Sequence, residues 1–251
     1  MRSLTSLLVV MAAVTSTVAG VALADTAAAK PAKTPDPAFA PVADVPGLPR
    51  VLLIGDSISI GYTLPTRRLL EGRANVHRIP TNGGPTTRGL AHLDSWLGSS
   101  QWDVIHFNFG LHDLKHVDAS GATVDVVAGN RQVEPAAYRD NLLAIVRRLK
   151  QTGAKLIWCS TTPVPEGAKG RIPGDELAYN SLAAEVMAAE GVEINDLHAF
   201  AAPRRAEIGK PADVHYTAKG SETLATEVAR RIEAALPAAA KGPSTAGREG
   251  P

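Results

Sequence analysis

A serine, an aspartate and a histidine occupy positions from which they could act as a nucleophile, an orienting acid and a base. Ser57 follows the short apolar run 51–54 and the turn Gly55-Asp56. Such a run is typical of a buried parallel strand, and open α/β sheets bind ligands beyond the carboxyl ends of these strands. Asp213 and His215 follow near the other end of the chain. This order of residue types predicts nucleophilic chemistry at Ser57, with His215 as its base.

Strands and helices alternate between these two segments, so a sheet could bring them together. Apolar runs predict strands and amphipathic runs predict helices. The alternation predicts an α/β fold of three layers, α/β/α, in which a parallel sheet of about five strands has helices on both faces. The predicted strands cover 51–54, 75–79, 104–109, 155–160 and 192–194, and the clearest predicted helices cover 135–150, 175–190 and 218–236.

Sequence blocks along the chain resemble those of the SGNH, or GDSL-like, esterases and lipases over residues 51–236. Gly55-Asp56-Ser57 matches the first block, whose serine is the nucleophile and also donates its N–H to the oxyanion hole. The turn 82–87 matches the second block, and we take Gly84 rather than Gly83 as its N–H donor. The resemblance implies the flavodoxin-like fold of that family and a carboxylic ester hydrolase that uses no cofactor.

The third block departs from the usual Gly-x-Asn-Asp, because it reads Gly110-Leu111-His112-Asp113. An imidazole N–H can donate a hydrogen bond to an oxyanion as an amide does, so His112 is our candidate for the third donor. The alternative is that His112 only orders the loop, while Asn108 or backbone groups polarise the substrate. A bacterial subgroup of the family resembles this chain in having Gly-Leu-His-Asp here. We consider Asp56 and Asp113 as supporting residues.

The last block departs as well, since the usual pattern is Asp-x-x-His and Ala212 occupies the acid's position. Asp213 lies two residues before His215, and it reaches the ring only if the loop conformation differs from the family's. The alternative is a dyad of Ser57 and His215 in which a backbone carbonyl near Ala212 orients the ring.

Two other classes of function remain open at this point. A metal-dependent hydrolase would use the cluster of His106, His112, Asp113 and His116, although this spacing matches no familiar ligand motif. A non-catalytic carbohydrate-binding or adhesion module would retain the fold, and the departures at His112 and Ala212 would have abolished the chemistry.

Composition favours a small ester substrate over a macromolecular polyanion. The 251 residues carry a formal net charge of +1, which gives no reason to expect nucleic acid. Only 4% of the residues are aromatic, so a long stacking platform for sugars is not expected. We therefore expect small acyl groups, in particular acetyl esters on glycans. The loop 161–174 either borders the substrate cleft or only connects two elements, and we consider its Arg171 as a contact for an anionic substrate group.

The ends of the chain predict export and flexibility. Residues 1–24 combine Arg2, an apolar stretch and an Ala22-Leu23-Ala24 cleavage site, which predicts a signal peptide and no stable membrane insertion after cleavage. Residues 25–49 are rich in Ala and Pro and predict a flexible linker, 50–236 the hydrolase domain, and 237–251 a disordered tail. A single cysteine, Cys159, predicts a buried thiol and no internal disulfide. The sequence leaves the oligomeric state open.

Overall fold

The computed structural model describes residues 36–237. The predicted signal peptide, residues 25–35 of the predicted linker and the tail from residue 238 onward lie outside the described residues. Within the described part of the chain, no helix is both long and apolar enough to span a membrane.

The strands of the described residues are, in chain order, β1 (Arg50–Ile54), β2 (Asn75–Arg78), β3 (Val104–Phe107), β4 (His116–Val117), β5 (Asn130–Arg131), β6 (Lys155–Cys159) and β7 (Glu193–Asn195). Five of them form a parallel sheet at the centre of the domain, in the order β2-β1-β3-β6-β7. The three inner strands consist mainly of buried apolar residues, because helices cover both faces of the sheet.

Helices form the outer two layers. The first and last long helices pack against each other on one face, and the second, third and fourth pack side by side on the other. The helices are α1 (Ser57–Leu69), α2 (Thr86–Leu97), α3 (Pro135–Lys150), α4 (Asp175–Glu190), α5 (Leu197–Ala201), α6 (Arg205–Ile208) and α7 (Ala218–Ala235).

This architecture confirms the predicted fold class. All five predicted strands exist, each within one or two residues of its expected bounds, and α3 and α4 cover the expected ranges. Cys159 is a free thiol buried at the end of β6. Because the strands are parallel, their carboxyl ends share one rim, and the segments after β1, β2, β3 and β6 meet there.

A small antiparallel hairpin, β4–β5, follows β3 and was not expected from the sequence. Strands of two residues carry no detectable alternation of apolar and polar positions. The hairpin fixes the loop 161–174, because the His116 N–H donates to the Gly170 carbonyl at 2.7 Å. A Cβ on Gly170 would lie 2.6 Å from the Val124 carbonyl oxygen, so only glycine permits this approach.

Residues 36–49, within the segment for which the sequence predicts a flexible linker, pack onto the domain. The Asn75 side chain accepts from the Val45 N–H at 2.8 Å and donates to the Leu48 carbonyl at 3.1 Å. Asp44 forms an ion pair with Arg50 at 2.9 Å, and its Oδ1 lies 2.6 Å from His77 Nε2. Proline and alanine content indicated a linker, but these side-chain contacts extend the packed unit to before residue 50.

Candidate active site

Ser57, His215 and Asp213 form one hydrogen-bonded chain at the rim of the sheet. His215 Nε2 lies 2.8 Å from Ser57 Oγ, and His215 Nδ1 lies 2.6 Å from Asp213 Oδ1. The β1–α1 corner positions the serine at the first residue of α1, where a helix N–H has no intrahelical partner. These contacts give the geometry of a serine nucleophile, its general base and the acid that orients the base.

Asp213 reaches His215 through a local turn that its two-residue offset makes possible. Asp213 Oδ1 also accepts from the His215 backbone N–H at 3.1 Å, so one carboxylate oxygen binds both groups of the histidine. Ala212, where the family usually has the acid, adopts φ +50°, in the left-handed region that L residues rarely enter. Burial raises the pKa of Asp213, but the hydrogen bonds from His215 outweigh it and hold the pKa below its ordinary value.

The acid–base pair lies in solvent contact. The side chains of His215 and Asp213 keep 42% and 43% of their accessible surface. Two clefts flank the pair. One of about 200 Å³ lies between α1 and the loop 209–216, and a second of about 520 Å³ lies between that loop and 161–174. The loop 161–174 therefore borders the cleft rather than only connecting elements.

The second block contains two glycine N–H groups with different partners. The Gly83 N–H donates to the Gly55 carbonyl at 2.9 Å. This bond joins the turn to residues 55–57 at the junction of β1 and α1, which we call the nucleophile corner. A Cβ on Gly83 would lie 2.9 Å from that carbonyl oxygen, which explains the glycine. The Gly84 N–H, our predicted donor, is held by Asn82 Oδ1 at 2.9 Å. A substrate oxygen must displace this side chain to bind Gly84.

His112 lies among the charged groups of the site. Burial lowers its pKa, and the charges of Lys115, Arg171 and His215 lower it further, against the opposite effect of Asp56. The ring is therefore neutral at pH 7 and retains one N–H that can donate.

Asn108 and Asp56, two of the supporting candidates, have structural partners. The Asn108 amide donates to the Cys159 carbonyl at 2.7 Å and joins the ends of β3 and β6. Asp56 caps α1 by accepting from the Ile58 N–H at 2.9 Å. With its amide donating to Cys159, Asn108 is a poorer candidate than His112 for the third donor.

Asp113, the last supporting candidate, follows β3, and its buried carboxyl binds the first residue of α2. Its Oδ1 accepts from the Thr86 N–H at 2.8 Å and from the Thr86 hydroxyl at 2.5 Å, while its Oδ2 has no partner among the described residues. Burial raises its pKa to about 7, although the bonds from Thr86 act in the opposite direction. Asp113 thus ties the third block to the second block and does not face His215 as an acid.

Arg78 is a site residue that the sequence analysis missed. Its Nη2 donates to the carbonyls of Gly55 at 2.9 Å, Thr81 at 3.3 Å and Asp56 at 3.4 Å. Its Nη1 donates to Ser59 Oγ at 2.6 Å. Burial lowers its pKa to about 10, so the guanidinium remains charged at pH 7. One half-buried cation therefore holds the nucleophile corner and the second block together.

The residues considered for a metal site have other partners. Among residues 36–237, no group of three or more His, Cys, Asp or Glu side chains could hold a metal ion. His106 is buried in β3, its Nε2 lies 3.1 Å from Asn195 Nδ2, and burial lowers its pKa to about 4. His116 Nδ1 lies 3.4 Å from the Gly170 carbonyl.

Known structures with the same fold include ester hydrolases. A lipase/acylhydrolase from Enterococcus faecalis superimposes with a TM-score of 0.63 at 20% identity, over 76% of this chain and 98% of that one. Axe2, an acetylxylan esterase from Geobacillus stearothermophilus, gives 0.60 at 16% identity, over 73% and 94%. The acetyl xylan esterase AlAXEase gives 0.60 at 14% identity, over 73% and 99%. At these identities the likeness shows the fold.

The family assignment comes from the sequence itself. A comparison with curated proteins gives no match. The model of the GDSL-like Lipase/Acylhydrolase family matches residues 53–223, from β1 into α7, which includes Ser57, Asp213 and His215. The chain therefore belongs to the GDSL-like lipase/acylhydrolase family and is a carboxylic ester hydrolase.

Proposed function

We propose that the protein is a serine esterase that removes small acyl groups, acetyl groups in particular, from carbohydrate through an acyl-enzyme intermediate. The observation that carries the mechanism is the hydrogen-bonded chain from Ser57 Oγ through His215 to Asp213. The link from Ser57 to His215 has the length and the atom pairing that proton transfer requires, and the link from His215 to Asp213 orients the ring.

The reaction follows from these contacts in two halves. His215 Nε2 takes the Ser57 proton as Oγ attacks the ester carbon, and Asp213 stabilises the resulting imidazolium. The imidazolium then protonates the leaving alcohol, and the acyl group remains on Ser57. Water, deprotonated by His215, attacks the acyl carbon and regenerates the serine.

Three donors stabilise the oxyanion in this proposal: the N–H groups of Ser57 and Gly84 and the ring N–H of His112. Arg78 supports the first of them, because it binds the Asp56 carbonyl and so directs the opposite end of the same trans peptide, the Ser57 N–H, away from itself. The Gly84 N–H joins when the substrate oxygen replaces Asn82 Oδ1. Each donor contributes about 3 kcal/mol to transition-state stabilisation.

The lining of the site supports small acyl groups. The cleft of about 200 Å³ beside Ser57 has Lys210 and Ser221 among its lining residues, so it offers a long acyl chain no continuous apolar surface. Two of the structures with this fold are named acetyl xylan esterases. We further propose that the protein acts outside the cytoplasm, on the basis of the signal-like residues 1–24.

A series of 4-nitrophenyl esters from acetyl to decanoyl tests this function. We expect kcat/KM to be highest for acetyl and to fall at least tenfold by octanoyl, because the partly polar lining of the cleft gives longer chains no continuous apolar surface to pack against. Ser57→Ala must abolish hydrolysis of every member, whereas the exposed Ser95→Ala must retain it. A rate that rises steadily with chain length would contradict the acetyl preference.

A further inference from the structure

The larger cleft beside His215 is lined with positive charge. Its volume is about 520 Å³, and the loops 209–216 and 161–174 form its two sides. Lys169 and Arg171 line the second side. Burial lowers the pKa of Lys115, and the positive charge of nearby Arg171 lowers it further. Two cations therefore line the space next to the base, and a third lies near one of them.

None of these cations has a carboxylate partner within the part of the chain that the structure describes. The ion pairs of residues 36–237 do not include Lys115, Lys169 or Arg171. The charges of Asp56 and Asp213 raise the pKa of Arg171, but neither carboxylate forms an ion pair with its guanidinium. A cation that no carboxylate pairs directly can bind an anionic ligand group without first breaking an ion pair.

Arg171 is also held in place before any ligand binds. Its Nε donates to the Leu111 carbonyl at 3.0 Å, and its Nη1 donates to the Lys169 carbonyl at 3.3 Å. Leu111 directly precedes His112. The Gly170 carbonyl accepts from the His116 N–H and so fixes the loop 161–174 to the β4–β5 hairpin. The guanidinium is thus fixed beside the proposed oxyanion donor and little entropy is lost on binding.

We propose that this cleft binds a carboxylate of the substrate close to the scissile ester, with Arg171 as its main contact. The proposal rests on the proposed esterase function, because it names the substrate class of that same site: an acetylated sugar acid. The guanidinium fork matches a planar carboxylate. A monoanion suits the cleft better than a phosphate dianion, because Asp213 lies in the same wall.

Binding to the inactive Ser57→Ala protein tests this without any turnover. The ligands are an acetylated methyl uronoside, its neutral carboxamide, and the matching acetylated sugar phosphate, each titrated by calorimetry. We expect the carboxylate to bind at least tenfold more tightly than the carboxamide. In S57A/R171Q this ratio should fall to about one, whereas S57A/R147Q, which removes an α3 charge that pairs with Glu190 and does not line the cleft, should preserve it.

Equal binding of the carboxylate and the carboxamide, or binding of neither, would overturn the proposal. Tightest binding of the phosphate, lost in R171Q, would assign the cleft to phosphate esters and overturn the carboxylate. Acetate release by the unmodified enzyme is measured in parallel with the same ligands. A carboxylate preference in binding without any acetate release would refute the acetyl esterase and leave the anion site standing.

Discussion

The nucleophile corner and the acid–base loop meet at one hydrogen bond, yet they are built differently. The corner at β1–α1 is buried and held by several contacts at once: the Asp56 cap, the Arg78 guanidinium and the Gly83 N–H. The loop 209–216 leaves Asp213 and His215 more than 40% exposed. The region held by more contacts is the one that positions Ser57 and the proposed oxyanion donors.

The loop depends instead on local hydrogen bonds and on one strained residue. The Asp213 carbonyl accepts from Arg205, and a backbone bridge joins Gly209 to Tyr216. Ala212 in the left-handed region costs about 1 kcal/mol, which these contacts must offset. An exposed acid can therefore orient the base when a turn fixes it to the histidine's own backbone.

His112 should give the largest effect among residues that support the triad. His112→Ala removes one oxyanion donor and should reduce kcat by a hundredfold to a thousandfold, with a small change in KM. His112→Asn restores the donor that the family usually has and should recover most of the rate. Equal rates for the wild type and His112→Ala would assign His112 to loop order alone.

Asp213 tests whether the exposed loop contributes through its acid. Asp213→Ala should lower kcat by about a hundredfold, less than for a buried triad acid, because water screens an exposed carboxylate. Asp140→Ala, an exposed aspartate of α3, serves as the control. A loss below threefold would favour the dyad of Ser57 and His215, in which a backbone carbonyl orients the ring.

The sequence was sufficient to predict the corner but not all of its supports. The apolar run before Ser57 identified β1, and the order of the blocks identified the rim. Asp213 was the predicted acid, but the loop conformation that lets it reach the ring could not be derived from the sequence, because Ala212 adopts a φ angle that is rare for alanine. Whether Gly84 could donate was equally hidden, since the answer lies in the side-chain position of Asn82.

Arg78 was not predicted from the sequence for a different reason. An arginine at the end of a strand gives the same sequence pattern whether its side chain points to solvent or binds three backbone carbonyls. The hairpin β4–β5 and the packing of residues 36–49 were missed because short irregular segments have no period to detect. Contacts between segments far apart in sequence decide all three features.

Arg78 tests the rigidity of the corner directly. Arg78→Met removes donors to the carbonyls of Gly55, Asp56 and Thr81, so we expect kcat to fall about tenfold with KM nearly unchanged. Arg78→Lys should restore part of the rate. Arg67→Met, which removes a donor to Val76 on the same strand, controls for loss of packing. If both methionine variants lower kcat equally, Arg78 is only structural.

Asp113 should have the smallest effect on activity and a measurable one on stability. A carboxyl whose pKa rises from 3.8 unfolded to about 7 folded stabilises the fold below pH 4 and loses this contribution as the pH rises to 7. Urea unfolding at pH 4 and at pH 7 should therefore show that the free energy of unfolding of the wild type falls by up to about 4 kcal/mol relative to that of Asp113→Asn. Parallel pH curves for the two proteins would show that folding leaves the pKa of Asp113 unchanged.

Labelling with a fluorophosphonate is the most direct test of the central claim that Ser57 is an activated nucleophile. The reagent modifies serines that a neighbouring base activates. Peptide mass spectrometry should find the adduct on Ser57 of the folded protein, and none after heat unfolding or in Ser57→Ala. Folded protein that hydrolyses an ester while Ser57 remains unlabelled would contradict the acyl-enzyme mechanism.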